Sequence, residues 1–451
     1  MDEYKAERRN NHREIGLLAI SDSFFNDFLE EIESCEDFFR LLPLLKEYTQ
    51  NISITISSMD KLTRIIDEIL IIRLERNQCV EFLQFLEFLF EKGIDFPPLE
   101  GILSMQLILW IQNLFFSFDD PEIIVSSMNC SFQMIMLANH QSNIFLNEGF
   151  LESMLSVYDF FSSDQVDLII AQYTLPSVLG SLAVFVDKHI KNIDSIILTK
   201  VIDIFVSSVF REPDPFLSNA LWGLSKISQN NLEILIENMP NNLILRLIDI
   251  LRFHNKAIIT YTLSILNDIV IYDFKSVDFG VLQKGIQPHL LRRSYQDCSE
   301  ILILSCRILS IFLNDPKNHE IAYISGVISM VCSLLNDQQF EVKTESTMVL
   351  CNLIQNASDS LLQEILINYD IISPIMLILD SDSIETVVGV LYAVKSIIDR
   401  HINTSLYRIH INNIKKGFSK VYLDSLKSSS FEIIKDLTCI ISNFLETYIY
   451  T

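Results

Sequence analysis

The sequence predicts an all-α chain assembled from one repeated helical unit. Three observations carry that prediction. Apolar residues recur at helical spacing over long runs, with few strictly alternating stretches. Glycine and proline are scarce, at 11 each in 451 residues, so few points interrupt those runs. One helical pattern also returns at a nearly constant interval through the second half of the chain. With 49% hydrophobic and 20% charged residues there is ample material for a large core. The length exceeds what a single core normally fills, so several domains or an elongated array is expected.

In chain order, residues 1–40 read as a short polar N-terminal segment and 41–451 as the array. The repeat is clearest over 165–400 and ends in a capping unit at about 410–451. Before that the pattern blurs. SMQLILWIQNLFF, which holds Trp110, is expected to be the first helix of the recurring type. NEGFLESMLSVYD supplies a second helical unit opened by Gly149, and IIAQYTLPSVLGS places Tyr173 on a further helix of the first type.

The stretch FLSNALWGLSKIS, Phe216–Ser228, defines the pattern. On a helix, Leu217, Leu221, Leu224 and Ser228 share one face with Ala220 and Ile227 beside them, and that face is the apolar one. Asn219, Trp222 and Lys226 share the other, because residues three and four apart are neighbours. An indole on the polar side of a helix suits a wet groove that holds apolar parts of a ligand; cover by another helix is the alternative. The grammar returns in TYTLSILNDIV, LSCRILSIFLND, ESTMVLCNLIQN and VGVLYAVKSIID. Ser264, Arg307, Met348 and Tyr392 take the place of Trp222, at successive intervals of 42, 43, 41 and 44 residues. Between these helices lie NNLILRLIDILRFHN, KGIQPHLLRRSYQD, SGVISMVCSLLNDQQ and YDIISPIMLILDSDS, with Gly285 and Gly326 expected to make turns. Each period thus holds a short helix, a turn, a longer helix, a polar loop and a Trp222-type third helix. Three helices at this period predict an armadillo-repeat right-handed superhelical solenoid rather than two-helix HEAT units.

The net charge of −24, from 58 acidic and 34 basic residues, argues against general nucleic-acid binding, which needs a basic footprint. It favours cationic partners, and serves equally to keep an apolar array soluble. The cysteines Cys35, Cys79, Cys130, Cys298, Cys306, Cys332, Cys351 and Cys439 form no C-x-x-C pair and mostly sit in apolar runs, as reduced core thiols do. The polar N-terminus does not read as a secretory signal. Gly101–Phe118 and Leu168–Val186 are free of charge, but buried solenoid helices explain them better than membrane spans. No phosphate loop, H-E-x-x-H or G-x-S-x-G is present, and the histidines are scattered. Binding rather than catalysis is expected, with no cofactor and no metal.

FLSNALWGLSKISQNNLEILIENMP resembles a mid-array repeat of the importin-α family, and FSKVYLDSLKSSSFEIIKDLTCIISNFLETY is similar to that family's last repeat. KAERRNNHREIGLLAI resembles a shortened form of its basic importin-β-binding segment. The resemblance implies a nuclear import adaptor of cytoplasm and nucleus. It would bind basic localisation-signal cargo in a concave groove, an importin-β-like carrier through its N-terminus, and an export receptor. In that family third helices present Trp and, four residues later, Asn. The corresponding groove positions are Tyr173, Ser177, Trp222, Asp268, Glu345, Met348, Asn352, Tyr392 and Ser396, and the carrier-binding residues are Lys5, Arg8, Arg9 and Arg13. Trp222 and Asn352 match that pattern, whereas Lys226, Met348, Ser264 with Asp268, Arg307 with Ile311, Tyr173 with Ser177 and Tyr392 with Ser396 depart from it, and Glu3, Glu7 and Glu14 interrupt the basic segment. The competing expectation is an armadillo scaffold for complex assembly that has lost signal-peptide binding, with a membrane-associated protein third.

Overall fold

The computed structural model describes residues 27–30, 32, 38–51, 56–94, 101–138, 145–146, 149–211, 214–291, 299–380, 383–400, 407–418 and 420–447. Every regular element among the described residues is helical. Lys5, Arg8, Arg9 and Arg13 lie outside the described residues. The chain divides into two compact units, Met1–Asn230 and Asn231–Thr451.

The first unit holds α1 (Phe38–Asn51), α2 (Ile56–Ile71), α3 (Arg76–Ile94), α4 (Met105–Leu114), α5 (Pro121–Leu137), α6 (Phe150–Phe161), α7 (Leu168–His189), α8 (Ser195–Val209) and most of α9 (Asp214–Asn238). Its third helices stack in order, α3 on α5 and α5 on α7, while α4 packs on α5 and α6 on α7. Carboxylates fix the helix starts. Asp120 accepts from the Glu122 and Ile123 amides with Pro121 in the first turn, and Asp167 and Asp194 cap α7 and α8. Gly149 opens α6 at φ 65°, the turn that a side chain would strain.

Trp110 is not on a third helix. SMQLILWIQNLFF folds as α4, a ten-residue helix that lies between α2 and α5, and its indole meets Phe82 of α3 edge-on at 5.6 Å. The third helix of that repeat is α5, which begins at an Asp-Pro pair as α9 does. The uncharged run Leu168–Val186 lies in α7, one of two described helices long and apolar enough to span a membrane; the other is Lys256–Ser276. In α7 Leu175, Val178, Leu179, Leu182, Ala183 and Val186 are buried, while Leu168, Ile169 and Tyr173 at its start are exposed. A helix packed on several sides has no need of a polar stripe there.

Helix α9 breaks at Asn231 (φ −141°, ψ 50°), the first residue of the second unit. That unit continues with α10 (Leu243–Ile250), α11 (Lys256–Asp273), α12 (Phe279–Leu291), α13 (Ser299–Phe312), α14 (His319–Ile324), α15 (Val327–Leu334), α16 (Phe340–Asn356), α17 (Asp359–Asn368), α18 (Ile372–Leu377), α19 (Ile384–Asp399), α20 (Tyr407–Gly417), α21 (Lys420–Lys427) and α22 (Glu432–Thr447). The third helices α11, α13, α16, α19 and α22 again stack each on the next. Gly326, at φ 82°, makes the turn expected of it. Gly285 does not: it lies inside α12, where a Cβ would come within 3.1–3.2 Å of Leu251 and Ile248 side chains. Its role is close packing of α12 on α10. The His289 ring, on the same helix, meets the Leu251 carbonyl at 2.7 Å.

Two outcomes are expected of this packing. A Cβ on Gly223 would stand 2.4 Å from the Phe205 ring, which lies against the backbone of α9. Gly223→Ala should therefore lower stability by about 1–2 kcal/mol in urea titration, although alanine by itself favours a helix by about 1 kcal/mol. Adding Phe205→Leu should recover most of the loss. His189 is buried against Phe185, and among the described residues neither ring nitrogen has a hydrogen-bond partner. Burial, then the Lys188 charge, push its pKa down to about 4. The unfolded chain takes up this proton near 6.5, so stability is full above that pH and is lost progressively down to about 4. His189→Phe should flatten that part of the pH–stability curve.

Candidate functional site

Within each unit, third helices packed on one another keep most of their residues buried and leave recurring open positions. Trp222, Ser264, Arg307, Met348 and Tyr392 are each half-buried or exposed, while both chain neighbours of each are buried. Lys226, Asp268 and Asn352, four residues further on in their helices, repeat that arrangement. Tyr173 and Tyr392 are the most open of the aromatic positions, at 54% and 40% exposure. Leu217, Leu221, Leu224 and Ser228 form the buried face of α9, as the helical projection expects.

In the first unit the Trp222 ring is half-buried and already has an aromatic neighbour. Phe132 of α5 lies 5.9 Å from it at 60°. Phe132 also passes 3.8 Å from where a Gly180 Cβ would stand on α7, so a helix without a side chain at that point lets the two rings meet. Lys226 stands where the resemblance expects asparagine, and its Nζ pairs with Asp187 Oδ1 of α7 at 3.1 Å. Asn219, on the same face, donates from Nδ2 to the Pro176 carbonyl of α7 at 2.8 Å. Tyr173 and Ser177 lie on the same helix as Pro176, with Ser177 half-buried.

The second unit brings Arg307, Glu345, Met348 and Asn352 together across two stacked helices. Arg307 Nε donates to Glu345 Oε1 at 2.8 Å, so the carboxylate that could receive a ligand's cation already holds one from the chain itself. Asn352 Nδ2 donates to the Ser310 carbonyl of α13 at 3.1 Å. That uses one of the amide's two N–H groups and leaves Oδ1 and the other N–H on the strip. Met348 lies over the next third helix, with Cε and Sδ 3.0–3.1 Å from where a Gly389 Cβ would be. Ser396 Oγ donates to the Ile354 carbonyl at 3.4 Å, and Asp268 accepts from Asn267.

Several members of this site escape a sequence reading centred on Trp222. Phe132 and Asp187 come from helices whose register the sequence leaves blurred. Gly180 and Gly389 look like ordinary helix interruptions until the neighbouring side chain is known. The signal for Phe132 is present nonetheless: Asp120-Pro121 and Asp214-Pro215 stand at the same point of their repeats, and counting from them gives α5 its register.

No protein-family model matches the chain, and no curated protein matches it in sequence. Solved structures do match. One from work on a phosphorylation switch controlling the interaction between cadherin and beta-catenin aligns at TM-score 0.64 and 11% identity, covering 94% of this chain and 83% of that one. An engineered protein aligns at TM-score 0.63 and 12% identity over 94% of this chain and 99% of its own. A designed armadillo repeat protein aligns at TM-score 0.42 and 17% identity, covering 53% of this chain and 98% of that one. The fold is an all-α armadillo-repeat solenoid.

The bonds between third helices should be measurable. Removing one partner of a side-chain-to-carbonyl bond costs about 1 kcal/mol at a half-buried site. Asn352→Ala and Asn219→Ala should each lower the chemical-denaturation midpoint by a corresponding amount. Their effects should be independent, each confined to the part of the transition that belongs to its own unit, because the two sites share no partner.

Proposed function

We propose that this chain is an armadillo adaptor that binds an extended segment of a partner protein along the strips of its third helices. The observation that carries this reading is the recurrence, helix after helix, of one partly open position between buried neighbours, with Asn352 offering uncommitted amide groups beside it. An extended segment repeats its main-chain groups at a fixed rise, so a ladder of fixed side chains can meet them in succession. A half-covered indole such as Trp222 adds an apolar wall with a polar edge.

In its finer form the reading is a nuclear import adaptor working between cytoplasm and nucleus. It would take basic signal-bearing cargo on Trp222, Asn352 and Tyr392, and an importin-β-like carrier through the N-terminal segment holding Lys5, Arg8, Arg9 and Arg13. The sequence resemblance supports it, as does a net charge of −24, which draws cationic partners in. A second reading, a complex-assembly scaffold that no longer takes lysine-rich signals, is favoured by the Lys226–Asp187 and Arg307–Glu345 pairs. These put the chain's own cations on carboxylates that a signal peptide would otherwise use.

Titrating a fluorescent lysine-rich peptide separates the two. The import reading expects binding that weakens with added salt and falls by about 1–3 kcal/mol in Trp222→Ala. Lys226→Asn should strengthen it by removing a like charge from the strip. Absence of binding at low salt leaves the scaffold reading standing and ends the import one. Loss of a carrier pull-down on deleting residues 1–20 tests the N-terminal part separately.

A further inference from the structure

Among the described residues of the second unit, the cations near the strips differ in how far the chain itself engages them. Lys395 pairs with Asp399 on its own helix, and Arg400 donates to the Gln355 and Ala357 carbonyls. Arg307 keeps open donors. Its Nε is held by Glu345, which is only 20% exposed, while the arginine side chain itself is 52% exposed. A guanidinium carries five N–H groups in a rigid fork. Glu345 receives the one on Nε, and among the described residues Nη1 and Nη2 donate to no protein acceptor. The contact therefore orients the guanidinium plane and leaves its terminal edge open.

Both polar and apolar groups are partly exposed on α13 and on the two third helices packed against it. Ile303 and Ile311 flank Arg307 on α13, Met348 and Asn352 lie one helix on, and Ser264 and Asp268 one helix back; all six are partly exposed. Apolar Ile and Met side chains exclude some water, which strengthens a charged hydrogen bond made beside them. The nearest carboxylate, on Glu345, is engaged on Nε, and Asp268 accepts from Asn267. A lysine head brought here would face a guanidinium of its own sign. Two parallel N–H groups on one edge match two oxygens on one carbon.

We propose that Arg307 is the side-chain-selecting contact of the second unit, and that it receives the carboxylate of an aspartate or glutamate in the bound partner segment. This deepens the peptide-binding reading above and rests on it. The main chain of the segment is held by fixed amides such as Asn352, which recognise any sequence; Arg307 makes one position acidic. Glu345 is then a positioning residue, acting through the orientation of the guanidinium.

The test is selection of a displayed random-peptide library on the full chain, run in parallel on wild type, Arg307→Gln and Glu345→Gln. Wild type should enrich an acidic residue at one fixed position. The best peptide should bind Arg307→Gln about ten- to a hundredfold more weakly, the range of a charge-assisted bond. Its Glu→Gln version should bind both proteins equally. On Glu345→Gln the acidic preference should persist with a looser positional requirement. Enrichment of basic or neutral residues throughout, or equal binding of the acidic peptide by Arg307→Gln, overturns the assignment while leaving peptide binding intact. Failure of wild type to enrich any peptide overturns the peptide-binding reading and this inference together. Should Arg307→Gln lose its melting transition, the Glu→Gln exchange in the peptide, measured on wild type, decides in its place: a tenfold or greater loss supports the assignment, and unchanged binding overturns it.

Discussion

Within each unit, everything depends on third helices packing one on the next. That constraint is why helices such as α7 are apolar around most of their circumference, a composition that would be unstable on a helix packed along one face. It also decides what function is open to the chain. A helix so covered presents little of itself to water, and Trp222, Ser264, Arg307, Met348 and Tyr392 recur as open positions between buried neighbours. The recognition of an extended segment proposed above would need no enclosed pocket.

The same covering explains which parts of the fold were legible in the sequence. Over α9, α11, α13, α16 and α19 the period is nearly constant, and the buried Leu face of α9 follows from a helical projection alone. The failures were local. Trp110 drew the first repeat onto α4, because a rare residue type outweighed the Asp-Pro start of α5. Gly285 read as a turn when its actual constraint is the closeness of α10 to α12, a fact about a neighbour 34–37 residues away that no local pattern encodes. Positions on the strip could be named from spacing. Their partners could not, because Phe132, Asp187 and Ser310 become relevant only once two helices are laid side by side.

The internal pairs change how the acidity of the chain is read. A large negative charge suggests carboxylates waiting for a cationic ligand, yet Asp187 and Glu345 are each engaged by a lysine or arginine from an adjacent third helix. Half-exposed pairs of this kind contribute modestly to stability. Their larger effect is on what a ligand would meet in each unit: a lysine already paired on α9, and an arginine oriented by Glu345 on α13, in a chain whose net charge is still −24. Short-range selection and long-range attraction are thus governed by different residues.

The ties between third helices also set how the array assembles. Asn219 to Pro176, Asn352 to Ser310 and Ser396 to Ile354 span 43, 42 and 42 residues, about one repeat each. Closing a loop of that size carries an entropic cost that hardly changes from one such tie to the next. Order can therefore nucleate at whichever repeat is most stable and spread outward by nearest-neighbour zippering. A chain held this way melts by patches rather than in one concerted step. A damaging substitution then loosens its own neighbourhood, and distant helices keep their native contacts.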